Sequence, residues 1–553
     1  MHKHSLYIVL LLLLAVGLRT IQLGSLPQSL QNDEASFFYN AISLLQTGAD
    51  EDGRHLPLTL TSFIDSKPAL FSYLQIPFIA LFGQSIFAAR VVSAVLGSAS
   101  LLVLYLLVHK LAGNKQLALI TLFLMTISPW HIVLSRSTQE VILSFFFFVL
   151  TLFFAAKLFL PNSSRSKPWL WFCLTILSSW VCVYAYHSAK LLLPLFTLGL
   201  ALYATIALKR KATWPIATLV LQICLVLATT FLLSGGLTRA TAVSLFSTGD
   251  TQLVLDEQIR IATATSDPVI IRLFHNKVIN YGLAFLQTYF RHFTAQFLFL
   301  TGGDPTRYVV PFHGLLYIIE LPLLLLGLFF SLKDSGKQRN IALIFLSWLL
   351  MAPIPSALTT EESVSMIRTA VLLVPLMYFV AEGCVFVWHM ARRSIIKLNI
   401  RGLLIVCYLL SFFYFVHQYT VFQPRYRPWT RQYIDQALAE YLVEHQSQFE
   451  KITISKVTGQ VYIYLALSNL ISLDTLQDSY PARLQSEFSL GKYFFVSDGC
   501  LVGSEPATLY VVGGTCVFTE ETPAHQEIGA ITYFDGAQGY RLLVATPLPN
   551  LPE

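Results

Sequence analysis

Apolar stretches of about 20 residues follow one another along most of this 553-residue chain. As a helix, such a stretch spans the hydrocarbon core of a bilayer and satisfies its own backbone groups there. The chain is therefore expected to be an α-helical polytopic membrane protein. Composition agrees: 55% of residues are hydrophobic and only 12% charged, with a mean hydropathy of +0.61. A soluble chain of this size carries about a quarter charged residues. The net charge of +6 is spread as short clusters between apolar runs, so nucleic acid is not an expected partner.

Eleven spans are expected, near 5–24, 86–108, 116–134, 140–160, 169–187, 189–208, 214–234, 311–332, 340–356, 366–388 and 401–421. The first is followed by no A-x-A-type cleavage site and reads as an uncleaved span. The stretch ALFSYLQIPFIALFG, 69–83, is short and holds Pro77, which suggests an interfacial or re-entrant helix. Lys and Arg gather in alternate loops: Lys110 and Lys115; Arg165 and Lys167; 209–211; Lys333, Lys337 and Arg339; Arg392, Arg393, Lys397 and Arg401. By the positive-inside rule these loops are cytoplasmic, as is the N-terminus. Residues 25–85, 235–310 and everything after 422 then fall outside the cytoplasm, in a protein of the cell membrane. The expected division is a membrane domain over 1–422 and a soluble α/β domain over 423–553, where short strands alternate with helical runs. Cys500 and Cys516 lie in that domain and, outside the cell, could form one disulfide.

The candidate chemistry lies on the outer side. Asp33 and Glu34 open an amphipathic helix in QNDEASFFYNAISLLQTG. Adjacent acids there fit helix capping, with Asn32 as N-cap, and equally a rigidly mounted catalytic carboxylate. The same outer segment holds Lys67, and Arg90 sits just inside the next span. Arg136 and Glu140 lie four apart, the spacing of a helical ion pair, yet Glu140 opens a span, where an ionisable group usually faces a cavity. Further outer residues are His187 and Lys190, Asp304 and Arg307, and Arg368 near the end of an otherwise apolar span. An acid with fixed cations suits group transfer from a lipid-linked phosphate: a carboxylate takes the proton of an incoming hydroxyl while cations stabilise the departing phosphate. Rival readings are a transporter or lipid flippase, which predicts internal repeats, and a polysaccharide polymerase or ligase.

These residues fall into a known order. The segments NDEASFFYNA, SKPAL, LFGQS and AARVVSAV, followed by SPWHIVLSRSTQE and MIRTAVLLVP, resemble the polytopic GT-C glycosyltransferases. The resemblance is specifically to the family containing the protein O-mannosyltransferases and the aminoarabinose transferase of lipid A. The family carries Lys/His-Pro-Pro-Leu where this chain reads Lys67-Pro68-Ala69-Leu70. The resemblance covers most of residues 5–390. It implies a GT-C-like fold and a polyprenyl-phosphate-linked sugar donor in the membrane, with a glycan, protein or lipid acceptor. It also implies Asp33 as base, Glu34 and Glu140 as its partners, and Lys67 and Arg368 as ligands of the donor phosphate. Arg90 and Arg136 are further phosphate candidates; His187, Lys190, Asp304 and Arg307 are candidates for substrate contact. Some relatives hold a divalent metal ion near the acids and others need none, so a metal stays open.

Overall fold

The structure is a computed structural model describing residues 2–63, 65–160, 167–231, 241, 243–247, 249–263, 267–390, 397–455, 460–519 and 524–545. Arg165, Arg392 and Arg393 of the basic loops lie outside the described residues. The chain forms two compact units: Met1–Ile21 with Ser93–Tyr419, and Gln22–Val92 with Thr420–Glu553.

In chain order the helices as far as residue 231 are α1 (His2–Thr20), α2 (Asn32–Thr47), α3 (Leu70–Phe82), α4 (Ile86–Ala112), α5 (Lys115–Ile127), α6 (Pro129–Ser135), α7 (Glu140–Phe159), α8 (Pro168–Ala185), α9 (His187–Leu202) and α10 (Thr213–Phe231). Then come α11 (Asp250–Ala262), α12 (Pro268–Phe274), α13 (Lys277–Arg291), α14 (Glu320–Lys333), α15 (Gly336–Met351), α16 (Leu373–Met390) and α17 (Lys397–His417).

The first unit is the membrane part. Eight described helices are long and apolar enough to cross a bilayer, and a ninth crossing arises if α5 and α6 count as one span. That pair is bent by 60°. The bend falls at Ser128-Pro129: the residue before proline is pushed out of helical conformation, and Ser128 turns to N-cap α6 instead. The run expected at 311–332 is helical only from Glu320, and α14 has 14 residues, too few to span ~30 Å at ~1.5 Å each. It packs tightly against α16 through two glycines. A Cβ on Gly327 would collide with the Phe379 carbonyl, and one on Gly383 with that of Leu323. Small residues let membrane helices approach to backbone contact in this way.

The second unit joins the segment after α1 to the C-terminal region, whereas the sequence suggests a boundary at 422/423 with 25–85 as a loop of the membrane domain. Strands β1 (Thr59–Ser62) and β2 (Asp65–Pro68) form an antiparallel ribbon. The C-terminal region holds α18 (Tyr433–His445), β3 (Lys451–Ser455), α19 (Tyr462–Leu467), α20 (Leu473–Asp478), β4 (Phe488–Leu490), β5 (Tyr493–Val496), β6 (Thr508–Gly513), β7 (Gln526–Thr532) and β8 (Gln538–Val544). They make a six-stranded sheet in the order β4-β5-β3-β6-β8-β7, with β3 parallel to β5 and β6. Strand β6 is buried along its whole length, as a central strand covered on both faces must be. One face packs Ile452, Ile454, Leu509 and Val511 on Leu438 and Leu442 of α18, and the same core continues to Phe38 and Ile42 of α2. Helix α2 is thus mounted on the sheet domain. Cys500 and Cys516 are bridged, with Cα atoms 5.4 Å apart.

Candidate active site

Helix α2 is fixed at both ends. Its N-cap is Gln31, one residue before the expected Asn32, and the Gln31 N–H donates to Glu34 Oε2 at 3.1 Å in a capping box. At its other end Gly48 takes φ 72°, a left-handed conformation, and its N–H closes on the Leu44 carbonyl. Residues one apart on a helix diverge by about 100°. Asp33 and Glu34 accordingly enter different surroundings.

Glu34 is fully buried and saturated. Arg90 donates to its carboxylate through Nε (3.2 Å) and Nη2 (3.1 Å), and Arg431 Nη2 adds a third bond at 3.1 Å. Arg90, also fully buried, gives its remaining protons to the carbonyls of Leu23, Pro27 and Ser29. Arg431 holds the Gln28 carbonyl at 3.1 Å. The chain entering α2 is therefore wrapped around two guanidinium groups. Arg431 was missed in the sequence. A signal existed: Arg425, Arg427 and Arg431 cluster just after the last expected span.

Asp33 keeps 32% of its side-chain surface exposed and forms an ion pair with Lys67, whose side chain is 7% exposed. Lys67 sits opposite Leu60 in the ribbon, with its ammonium 5.2 Å from the Phe37 ring centre. Ala69, where the family has a second proline, is buried and donates its N–H to the Leu58 carbonyl at 3.1 Å. A proline there has no proton to give.

The second unit also buries an acidic turn that sequence reasoning passed over, Asp50-Glu51-Asp52. Arg483 pairs with Asp52 and donates to the Glu51 carbonyl at 2.9 Å. Among the described residues both Glu51 carboxylate oxygens are without a hydrogen-bond partner. Burial pushes the Glu51 carboxyl up to about 8, against the pull of Arg483.

In the membrane unit, Arg136 caps α6 after its last residue. Its Nε donates to the Tyr419 hydroxyl at 3.1 Å and its Nη1 to the Leu18 carbonyl at 2.9 Å. Glu140 is the first residue of α7, so the spacing from Arg136 crosses a break between helices and is not a helical turn. The segment around Asp304 pairs with the one leading to Arg368: Asp304 N–H donates to the Val364 carbonyl at 2.9 Å, and Met366 N–H to that of Asp304 at 2.8 Å. Arg307 Nη1 binds Glu362 Oε1 at 2.8 Å. Arg368 Nη1 reaches the Thr359 hydroxyl at 3.0 Å and the carbonyls of Glu361 and Glu362. Arg368 also lines a small cavity with Tyr186, Ser188 and Ser144, and the charges of Arg368, Glu140 and Glu362 all act on Tyr186. Tyr186 is a further residue the sequence reading left without a role. His187 is exposed at the start of α9, and Lys190 Nζ donates to the Thr229 carbonyl of α10 at 3.3 Å.

Asp33, Glu34, Lys67 and Arg90 thus gather in the second unit, and Asp304, Arg307 and Arg368 in the first. Among the described residues no three His, Cys, Asp or Glu side chains are placed to hold a metal ion.

The fold is that of the GT-C membrane glycosyltransferases, as the motif resemblance implied. Residues 66–233 match the family model described as dolichyl-phosphate-mannose-protein mannosyltransferase. This segment includes Lys67, Arg90, Arg136, Glu140, His187 and Lys190, and excludes Asp33 and Arg368. The chain is similar to ArnT from Cupriavidus metallidurans bound to undecaprenyl phosphate, at 11% identity and a TM-score of 0.51 over 99% of each chain. It is similar also to the oligosaccharyltransferase AglB from Archaeoglobus fulgidus in complex with an inhibitory peptide and a dolichol-phosphate. There the TM-score is 0.52 at 13% identity, over 84% of this chain and 64% of that one. A second structure of the archaeal enzyme, tethered with an acceptor peptide, gives 0.52 and 13% over 85% and 63%. The chain thus spans less than two thirds of the archaeal enzyme's length. No curated protein sequence matches it.

Proposed function

We propose that the protein is a membrane glycosyltransferase moving a sugar from a polyprenyl-phosphate carrier to an extracytoplasmic acceptor. The observation that carries this reading is the Asp33–Lys67 pair: a carboxylate partly open to solvent, with a buried cation beside it, on a helix braced from below. The family match and the fold shared with structures that hold undecaprenyl phosphate or dolichol-phosphate support a lipid-phosphate donor.

The acceptor hydroxyl attacks the anomeric carbon from the side opposite the carrier, and its proton passes to the Asp33 carboxylate. The bond from that carbon to the phosphate oxygen breaks, its electron pair leaves with the polyprenyl phosphate, and the configuration inverts. Lys67 and Arg368 are the proposed ligands of the departing phosphate, with Arg136 as a further candidate. Glu34 and Arg90 act as positioning residues, since each is fully buried and engaged. Glu140 is the proposed second acid; His187, Lys190, Asp304 and Arg307 are proposed substrate contacts. None of these steps draws on a divalent ion. The acceptor is a glycan, protein or lipid, and residues 423–553 help select it.

The proposed site is the cell membrane, with the N-terminus cytoplasmic and the C-terminal domain outside. The Cys500–Cys516 bridge supports that side, because disulfides persist in oxidising compartments. The test is purified protein in lipid nanodiscs with a panel of polyprenyl-phosphate sugars, with and without a chelator. Release of polyprenyl phosphate from at least one donor, lost in Asp33→Asn, is expected. Release from none of them sinks the reading.

A further inference from the structure

Helices α12 and α13 each turn an apolar face away from the protein. The side of α13 turned toward the protein is mixed, with Asn280, Tyr281, Ala284, Phe285, Thr288 and Tyr289, whereas Ile279, Leu283, Leu286 and Phe290 recur at helical spacing on the exposed side. In α12 only Ile271 is buried, and Val269, Leu273 and Phe274 stand more than half exposed. Both helices are properly started, by Asp267 and Asn276 accepting from the N–H groups of Val269 and Ile279. An apolar face of this extent needs a partner.

Two observations say what the partner is. The first is position. The Tyr289 hydroxyl donates to the Leu350 carbonyl at 2.7 Å, in the last turn of α15, which belongs to one of the helices able to cross a membrane. Just before α11, the Leu245 N–H donates to the Leu358 carbonyl at 2.9 Å, beyond the same span end. The apolar face is therefore tethered where hydrocarbon gives way to headgroups. The second is charge. From Pro268 to Gly303 there is no Asp or Glu, while Arg272, Lys277 and Arg291 lie within or at the ends of the two helices. Basic residues at the margins of an apolar helical face are the pattern of an interfacial helix on anionic lipid.

The geometry points to α12 and α13 as a docking surface for the bilayer itself: their apolar face lies in the interfacial layer, and Arg272, Lys277 and Arg291 bind anionic lipid phosphates. This stands independently of the transferase reading.

The test replaces Leu283 or Phe290 with the photo-crosslinking residue p-benzoylphenylalanine in the full chain, reconstituted in nanodiscs of mixed anionic and zwitterionic lipid. The same label at Leu410 of α17 and at Asp535 of the sheet domain provides lipid-facing and water-facing references. Mass spectrometry of the adducts is expected to find lipid at 283 and 290 at yields close to those at 410. The anionic lipid should be enriched several-fold over its bulk fraction, and that enrichment should vanish in Arg272→Gln/Lys277→Gln/Arg291→Gln. Adducts only with protein, including a second copy of the chain, or yields no higher than at 535, overturn the docking surface. Lipid adducts at the bulk ratio overturn the anionic selectivity.

Discussion

Lys67, near the end of a short ribbon, forms an ion pair with Asp33 in the first turn of a helix 34 residues earlier in the chain. The adjacent Glu34 takes no part in this pair and is locked between Arg90 and Arg431. Two neighbouring acids thus have separate physical tasks.

If Asp33 is the base, Asp33→Asn lowers turnover on a hydroxyl acceptor by about a hundredfold to ten-thousandfold. Lys67→Gln costs about 10²–10³ in kcat through lost stabilisation of the leaving phosphate. Rates of polyprenyl phosphate release from the two variants check both. On an acceptor already ionised at neutral pH, Asp33→Asn should have a much smaller effect.

Glu34→Gln should act on stability. It leaves Arg90 and Arg431 buried without their counter-charge, a loss of about 3–5 kcal/mol for breaking a buried pair. Thermal unfolding in detergent should show a large drop. An unchanged melting temperature would mean that the brace is not what holds α2.

Ala69→Pro restores the family's element and removes the N–H bonded to Leu58. At φ −75° the backbone already suits proline, so the cost is confined to about 1 kcal/mol for the lost hydrogen bond. Chemical denaturation of the variant and the parent measures it.

Glu51 ties stability to pH. Its carboxyl is raised to about 8 in the folded protein, above the ordinary carboxylate range. Below that range both folded and unfolded chains hold the proton, and the fold suffers no penalty. As pH rises toward 8 the unfolded chain releases the proton first, so unfolding gains and stability falls; above 8 the fall levels off. Burial raises the Asp52 carboxyl as well, with the same sign. Melting temperatures followed from pH 5 to pH 9 should decline, and Glu51→Gln should flatten the decline.

The Cys500–Cys516 bridge closes a loop of sequence separation 16. Its removal in Cys500→Ala/Cys516→Ala should destabilise the sheet domain by about 3 kcal/mol on the loop-entropy account. Proteolysis of the domain with and without reductant should report the difference.

Much of this was legible in the sequence, because the signals are local. An apolar run of span length announces a membrane helix whatever surrounds it: eight of the eleven expected runs hold a described helix long and apolar enough to cross, a ninth holds the bent pair α5 and α6, and the runs at 5–24 and 311–332 hold shorter helices. Asp33, Lys67 and Arg368 could be picked out because their charge is out of place near apolar runs. The break at Ser128-Pro129 was written in the proline but hidden by the continuity of the apolar pattern on both sides. The extent of α14 was overestimated because residues 311–319 are apolar enough for a span, yet they form turns.

What the chain alone determined is that most of its apolar runs form helices able to enter lipid and which charged residues have no ordinary reason to be where they are, since both follow from transfer energies of neighbouring residues. Only the tertiary structure decided which acid is braced and which is left open. Glu34 finds its partners 56 and 397 residues away, and a helix turning about 100° per residue sends two adjacent carboxylates to different neighbours. Contacts of that range depend on how sheet, ribbon and helix pack, and no local pattern of residues encodes them.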